Sequence, residues 1–332
     1  MGINLRDTVL KHKIELEDLK GKKLAVDAFN VLYQFLATIR QQDGQLLKDS
    51  HGNVTSHLSG LFYRTINLLE AGALPCFVFD GKPPSEKFAT TEARAAIKEE
   101  AQIKYASAIE KGDLAEAKKF AQQTSRLTAE MISESKELLS AMGLPWVQAL
   151  AEGEAQAAHM CAKKHVWATA SQDYDALLFG TTRLVRNLTI SQKKKVAGKE
   201  AYTKTEIELI DLAECLNFLQ MDITGFINMA LLIGTDYNPG GVEGIGPKTA
   251  IKIIKEGKFP EYKEKIQNYD RIKSLFSKPL VTSDYSLEWK KPDEKKIKEI
   301  LVGRHGFKED RIDAAIKRIT GIDRGQKGLG EF

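Results

Sequence analysis

Short, uninterrupted runs of hydrophobic residues recur along the first two thirds of the chain, and acidic side chains follow each of them. The runs occupy residues 24–26, 75–79, 146–147 and 166–168. Runs of this kind, without polar alternation, are typical of strands buried on both faces of a parallel sheet. The acidic residues that follow the four runs are, in chain order, Asp27, Asp80, the pair Glu152 and Glu154, and the pair Asp173 and Asp175.

Helical patterns lie between these runs, for example at residues 58–69 and 132–142. The alternation predicts an α/β fold with a mostly parallel central sheet flanked by helices. Residues 82–130 are rich in Ala, Glu and Lys and predict a helical insertion that breaks near residues 111–113. A second helical segment, with a hairpin between its helices, is predicted at about residues 225–260. We therefore expect a single domain over residues 1–320, followed by a loose tail at 321–332.

Composition excludes several classes of protein. No stretch approaches the ~20 apolar residues of a membrane helix, and the N-terminus lacks a signal region, so we expect a soluble intracellular protein. Cys76, Cys161 and Cys215 lie far apart and indicate buried thiols in a reducing compartment. The net charge is only +4, but residues 191–204 hold five lysines against one glutamate, and residues 245–258 hold four against one. Such segments either bind phosphate backbones or are simply solvated.

The acidic residues at the strand ends predict a metal site. The carboxyl ends of parallel strands meet at one edge of a sheet, so the six carboxylates are expected to converge there. Asp236 follows a predicted helix and adds a seventh. Carboxylates this close repel one another unless cations lie among them, and oxygen-only ligands suit Mg²⁺ or Mn²⁺. Two such ions can hydrolyse a phosphodiester with an activated water. Taken singly, each residue is equally typical of a helix cap or a turn.

Five motifs carry a resemblance to a known family. They are VDAFN at 26–30, FVFDGKPP at 77–84, AEGEAQAA at 151–158, ASQDYD at 170–175 and GTDYNPGG at 234–241. With them the chain resembles the archaeal and eukaryotic flap endonucleases over essentially its whole length. The resemblance implies a 5′ nuclease fold and a 5′ flap endonuclease and 5′–3′ exonuclease of DNA replication and repair. It also implies that the seven carboxylates hold two divalent ions, directly or through water, with Asp173, Asp175 and Asp236 near the second ion.

Further residues predict contacts with branched DNA that carries a 5′ flap. Glycines allow backbone N–H groups to approach phosphate, and a helix N-terminus attracts anions, so the hairpin between helices predicts duplex binding. The hairpin residues are Gly244, Gly246, Lys248 and Lys252. The resemblance adds a K⁺ ion there. Lys87, Arg94 and Lys98 have the spacing of one helix face.

The resemblance assigns roles to several of these residues. Lys87 and Arg94 are expected to reach the scissile phosphate from the helical insertion, which the family forms as an arch over the flap. Tyr33 resembles a residue that stacks on a base, and Arg64 one that contacts a phosphate. Gly2 marks an N-terminus expected to lie near the DNA.

The tail resembles a sliding-clamp motif, in which a glutamine precedes an aliphatic residue and aromatic residues. Gln326, Leu329 and Phe332 match it, although the second aromatic is missing. We therefore expect the protein to bind a sliding clamp through this tail. We also expect it to be a monomer. The lack of a basic extension after this motif resembles archaeal members and implies a cytoplasmic protein, or a nuclear one if the source is eukaryotic. Two alternatives remain open: a related nuclease that prefers bubbles, four-way junctions or plain 5′ ends, and a clamp-bound DNA-binding scaffold without activity.

Overall fold

The computed structural model describes residues 3, 5–41, 43–188, 193–195 and 202–321. The predictions for Gly2, Gln326, Leu329 and Phe332 therefore lie outside the described residues.

A seven-stranded sheet forms the centre of the molecule, in the order β1-β9-β6-β5-β2-β3-β4. The five strands from β6 to β4 run parallel, and β9 pairs antiparallel with both β6 and β1. A separate antiparallel ladder joins β7 to β8. The strands are β1 His12–Ile14, β2 Lys23–Asp27, β3 Leu74–Phe79, β4 Trp146–Gln148, β5 Ala168–Ala170, β6 Arg183–Arg186, β7 Lys193–Lys195, β8 Tyr202–Lys204 and β9 Ile207–Asp211.

The predicted α/β class and the mostly parallel sheet are confirmed. Strand β2 is central because Leu24, Ala25 and Val26 have no exposed surface and pack on both faces. Its neighbours are β5 and β3, so three of the predicted strands lie side by side. One boundary differs from the prediction. The fourth run was expected at 166–168, but the strand occupies Ala168–Ala170, and Trp167 directly before it donates its N–H to the carbonyl of Lys23 in β2.

Helices cover both faces of the sheet, and two lie in the predicted helical insertion. Short 3₁₀ turns occupy Leu16–Leu19 and Ser85–Lys87, and a π-helical turn occupies Glu299–Arg304. The α-helices are α1 Ala28–Thr38, α2 Ser56–Glu70, α3 Phe88–Glu110, α4 Leu114–Ala121, α5 Ala129–Ala141, α6 Gly153–Ala162, α7 Asp175–Leu178, α8 Leu212–Leu219, α9 Ile223–Ile233, α10 Pro247–Lys255, α11 Pro260–Lys263, α12 Tyr269–Ser277, α13 Glu294–Lys298 and α14 Glu309–Lys317.

The core divides into two hydrophobic clusters. The first joins the sheet to α1, α2, α5 and the C-terminal α14. The second gathers α7, α8, α9, α10 and α12 around Phe226 and Phe276, together with the N-terminal residues Ile3 and Leu5. Helices α1, α2, α5 and α14 therefore pack in one core, and helices α7, α8, α9, α10 and α12 pack in the other. In the described part of the chain no single helix has the length and apolar character to span a membrane, although the bent pair α8–α9 passes that test when taken together.

The helical insertion consists of α3 and α4, which pack closely against each other. The break between them falls at the predicted place, since Gly112 adopts φ +69°, a conformation that favours glycine. Helices α9 and α10 are likewise separate elements joined by residues 234–246. The segments that were predicted to handle DNA are therefore present as helices in the places that the sequence pattern indicated.

Candidate active site

The acidic cluster is assembled at the carboxyl ends of the parallel strands. Asp27 ends β2 and also begins α1, where its Oδ1 accepts the backbone N–H of Asn30 at 3.0 Å. Asp80 follows β3, and its Oδ1 accepts the N–H of Gly153 at 2.6 Å. A Cβ atom on Gly153 would lie 2.6 Å from that same oxygen, so glycine is required for Asp80 to approach α6.

Helix α6 contributes two carboxylates from its first turn. Glu152 occupies the N-cap position, and its Oε2 accepts the hydroxyl of Tyr237 at 2.7 Å. Glu154 lies one residue inside the helix, and its Oε1 accepts the hydroxyl of Ser171 at 3.0 Å. Both glutamates are therefore held by side chains from distant segments, which fixes their orientation toward the sheet edge.

The remaining three aspartates come from the other side of the strand ends. Asp173 Oδ2 accepts the side-chain amide of Asn30 at 3.1 Å. Asp175 begins α7, is buried, and its Oδ1 accepts the backbone N–H of Ile3 at 2.9 Å. Asp236 is buried in the loop after α9. The chain start is thus tied to the cluster through Asp175.

Burial and mutual repulsion shift the protonation of these carboxyls. Burial, reinforced by the charge of Asp80, raises the pKa of Asp27 to about 8. Burial raises the pKa of Asp80 to about 6, although its bond from Gly153 acts in the opposite direction. Burial, with the charges of Asp236 and Asp173, raises the pKa of Asp175 to about 7. The pKa of Glu154 rises well above its ordinary value for the same reasons, burial first and then Asp173, Asp175 and Asp27.

One lysine enters the cluster. The Nζ atom of Lys87 lies 2.5 Å from Oε1 of Glu152 and 3.7 Å from Oδ2 of Asp236. It also lies 5.7 Å from the centre of the Tyr237 ring. Burial alone would lower the pKa of Lys87, but the facing carboxylates, Glu152 foremost, raise it above its ordinary value. A fixed positive charge therefore offsets part of the negative charge at this edge.

The donor set suits a hard divalent cation. Every candidate ligand offers carboxylate oxygen, and the raised pKa values mean that added positive charge would favour the ionised forms. Within the described ranges, no group of three or more acidic, histidine or cysteine side chains is arranged, as it stands, to hold a metal ion. The ammonium of Lys87 and the hydrogen bonds from Asn30, Ser171 and Tyr237 hold the carboxylates instead.

The raised pKa of Asp27 predicts a gain in stability when its charge is removed. In the unfolded chain this group titrates near 3.8 and in the folded protein at about 8. Its ionisation therefore opposes folding, and the stability present at low pH is lost as pH rises between these values. The variant Asp27→Asn keeps the helix cap, because Asn caps as well as Asp. In EDTA it is expected to melt several degrees above the parent near pH 8.5, at roughly 2–4 °C per kcal/mol.

Thermal unfolding followed across pH by circular dichroism checks this expectation, and the difference between the two proteins should shrink toward about pH 5. Asp222→Asn is the matched control. Asp222 caps α9 in the same way, with its Oδ1 accepting the N–H of Gly225 at 2.7 Å, but it is exposed and lies outside the acidic cluster. A melting curve of Asp27→Asn that tracks the parent at every pH would contradict the electrostatic account.

The described residues predicted to contact DNA occupy two surfaces, one on α1, α2 and α3 and the other at the hairpin between α9 and α10. Tyr33 lies on α1, and the ammonium of Lys98 from α3 lies 4.7 Å from the centre of its ring, a cation–π contact. Arg64 on α2 is half-buried, and burial lowers its pKa. Arg94 lies within α3, but its side chain is outside the described part of the structure. Lys87 differs from the prediction, because it ends the 3₁₀ turn Ser85–Lys87 before α3 begins.

The second surface is the hairpin between α9 and α10. Gly244 adopts φ +78°, and Gly246 is the N-cap of α10. A Cβ atom at either glycine would meet nothing within 4 Å, so their backbone faces open space. Lys248 and Lys252 are exposed on α10. The arrangement leaves N–H groups at a helix start accessible to a phosphate.

Three functional side chains were not selected from the sequence. Asn30, Ser171 and Tyr237 each donate a hydrogen bond to one carboxylate of the cluster. All three lie within five residues of a selected acidic residue, inside the motifs at 26–30, 170–175 and 234–241. Their position inside those motifs could have marked them as candidates. The carboxylate that each one contacts, however, belongs to a different segment of the chain, so the contact itself could not be predicted.

Comparison with known proteins places this geometry in context. Two family models match the chain, the XPG N-terminal domain over residues 1–101 and the XPG I-region over residues 143–236. Flap endonuclease 1 of Thermococcus onnurineus is 51% identical over 322 residues, which cover 96% of this chain and 94% of the relative. Flap endonuclease 1 of Pyrococcus abyssi is 52% identical over 322 residues, with the same coverage of 96% and 94%.

Solved structures agree with these relatives. The flap endonuclease-1 from Methanococcus jannaschii superimposes with a TM-score of 0.79 at 44% identity, covering 97% of this chain and 98% of that one. The catalytic core of Rad2 in complex with DNA substrate superimposes with a TM-score of 0.68 at 26% identity, covering 93% and 96% of the two chains.

Proposed function

The chain belongs to the flap endonuclease family, and from that premise we propose that it uses two Mg²⁺ ions, held by the seven carboxylates, to cut branched DNA at the base of a 5′ flap. That it is a structure-specific 5′ nuclease of DNA replication and repair follows from its family. The observation that carries the finer proposal is the gathering of acidic side chains from four strand ends and one loop around a single edge of the sheet. Mn²⁺, which prefers the same ligands, is expected to substitute.

The chain's own residues would bind and orient the reacting groups. Asp27, Asp80, Glu152 and Glu154 would hold one ion, and Asp173, Asp175 and Asp236 the other. When bound, these ions supply a nucleophile at neutral pH and offset the charge on the leaving oxygen. The hydrogen bonds from Asn30, Ser171 and Tyr237 would keep three of these carboxylates aimed at the same edge.

Lys87 would stabilise charge on the scissile phosphate. Its ammonium is already buried beside Glu152 and Asp236, so little reorganisation is needed when negative charge develops there. Arg94, from α3, is proposed to add a second positive charge at the same phosphate. Neither group forms a covalent bond with DNA in this account, because an activated water suffices as nucleophile.

The surfaces beside the cluster would hold the duplex arms. Gly244 and Gly246 would bring backbone N–H groups to a phosphate, and Lys248 and Lys252 would add positive charge along α10. A K⁺ ion is proposed at this hairpin.

Tyr33 would present its ring to a base near the cut. Arg64 and Lys98 would contact neighbouring phosphates, and Gly2 would lie close to the DNA. The tail residues Gln326, Leu329 and Phe332 are proposed to bind a sliding clamp, and the enzyme to act as a monomer.

Cleavage of a labelled double-flap DNA tests the proposed function. With Mg²⁺ the label should appear in one product cut at the junction between flap and duplex, and EDTA should abolish that product. The same protein is then given a bubble and a four-way junction of matched sequence. If the protein cuts the bubble or the four-way junction faster than the double flap, then that DNA, and not the flap, is its preferred substrate. Failure to cut any of the three, with DNA binding intact, would favour the non-catalytic scaffold instead.

Two observations favour the flap over the alternatives. The relatives that are about half identical along nearly the whole chain are flap endonucleases. A scaffold without activity would have no need for carboxylates that repel one another, yet all seven are kept and four of them titrate well above their ordinary range.

A further inference from the structure

We infer that Arg271 is a positioning residue for the reaction, since it fastens the 3₁₀ turn Ser85–Lys87 to α12 and so holds the Lys87 ammonium inside the acidic cluster. The inference rests on the proposed function, in which Lys87 stabilises charge on the scissile phosphate. Arg271 lies far from Lys87 in the sequence, and its contacts with Glu86 and Ser85 involve none of the seven carboxylates.

The fastening consists of two contacts. The guanidinium of Arg271 forms an ion pair with Oε1 of Glu86. Its Nη2 also donates to the hydroxyl of Ser85 at 3.2 Å. Both partners belong to the 3₁₀ turn that Lys87 completes. A guanidinium suits this arrangement because its rigid fork can reach two acceptors at once, which a lysine cannot do as well.

The burial of the two partners explains why this ion pair matters. The Arg271 side chain is 66% exposed, and ion pairs between exposed groups contribute little. The Glu86 side chain, however, is only 10% exposed. A nearly buried carboxylate that loses its partner is strongly unfavourable, so the turn would be expected to rearrange without Arg271.

The packing beneath the turn is open, which increases its dependence on the fastening. A cleft of about 270 Å³ lies beside the turn. The residues that line it include Ser85 and Glu86 of the turn, Arg271 and Leu275 of α12, and Glu152 and Tyr237 of the acidic site. On the side of this cleft the turn therefore borders open space. With three residues per turn, Lys87 faces a different direction from Ser85 and Glu86 and reaches Glu152 across the cleft edge.

Single-turnover cleavage of the double-flap DNA tests the inference, with the full chain and saturating Mg²⁺. Arg271→Ala is expected to slow cleavage roughly 10- to 100-fold, because small misplacements of a reacting group have effects of that size. DNA affinity should stay within about threefold, since phosphate contacts elsewhere dominate binding. Glu86→Gln should slow cleavage to a similar extent, and Arg271→Lys should restore only part of the rate, because an ammonium keeps the charge but not the second contact. Lys278→Ala, which removes an exposed positive charge at the end of the same helix, is the matched control and should cut at the parental rate.

A double-mutant cycle with Lys87→Ala decides whether Arg271 acts through Lys87. If it does, Arg271→Ala should have no further effect in the Lys87→Ala background. Equal slowing by Arg271→Ala in both backgrounds, or a drop in DNA affinity that explains the slowing, would overturn the inference. A parental rate for Arg271→Ala beside a slow Lys87→Ala overturns the inference alone. A parental rate for Lys87→Ala overturns both the inference and the role that the proposed function gives to Lys87.

Discussion

Replacing Asp173 or Asp236 by alanine is expected to abolish flap cleavage while leaving DNA binding intact. Each substitution removes a proposed ligand of the second divalent ion. The loss of ~4 kcal/mol of transition-state stabilisation corresponds to about a thousandfold in rate, and the loss of an ion can exceed this. Single-turnover cleavage and fluorescence anisotropy with the same labelled double-flap DNA measure the two quantities separately.

The control for this pair is Asp284→Ala, which removes an exposed carboxylate that lies outside the cluster. It should cut at the parental rate. For Asp173→Ala and Asp236→Ala, affinity for DNA should be unchanged or slightly tighter, because one negative charge is removed from the surface that meets phosphate. Retention of more than a tenth of the parental rate in either variant would sink the assignment of that aspartate as a metal ligand.

Lys87→Ala is expected to produce the second largest effect, a fall of about 10²- to 10³-fold in the single-turnover rate. The size follows from the position of its ammonium, which lies 2.5 Å from Glu152 on a side chain that is only 21% exposed, where a preorganised charge acts in a reduced dielectric. Affinity for DNA should change little, because in this account the ammonium acts only at the scissile phosphate, and the other phosphate contacts supply most of the binding. A rate that falls only at subsaturating DNA would instead identify Lys87 as a binding residue.

Lys111→Ala provides the comparison for charge in the helical insertion. Lys111 is exposed in the turn between α3 and α4 and has no described contact with the cluster. It should stay within about threefold of the parental rate, since a single exposed charge contributes little. Equal effects of the two lysines would mean that the insertion acts through its general charge and that the buried position of Lys87 is irrelevant.

The part of the fold that could be predicted is the part with strong local signals. Strands β2 and β3 contain uninterrupted apolar runs, each followed directly by an acidic residue, so both the strand and its functional end were recognisable. Strands β1, β6 and β9 were not predicted. Strand β1 is three residues long and starts with His12 and Lys13, and β6 begins and ends with arginine. These segments become strands because they pair with neighbouring strands, and the local sequence of a short segment does not show which strands it will pair with.

The same division holds for the site. The seven acidic residues could be selected because strand ends of a parallel sheet meet at one edge. The contacts that hold them could not, because Tyr237 meets Glu152 across 85 residues and Asn30 meets Asp173 across 143. Lys87 was expected on one helix face with Arg94 and Lys98, but a 3₁₀ turn precedes α3, and its different residue spacing directs Lys87 into the cluster instead.

The acidic cluster is a case in which stability is given up for function. The pKa of Asp27 at about 8 and of Asp175 at about 7 mean that ionising these groups opposes folding near neutral pH. Bound cations would remove that opposition, so Mg²⁺ is expected to stabilise the protein at the same pH at which the metal-free form is weakest. The requirement for a negatively charged site and the cost of building it arise from the same side chains.

An anomalous-difference map from crystals of the protein grown with Mn²⁺ tests the central claim most directly. The account predicts two peaks at the sheet edge, one among Asp27, Asp80, Glu152 and Glu154 and the other beside Asp173, Asp175 and Asp236. A map without peaks at this edge at saturating Mn²⁺ would contradict the account.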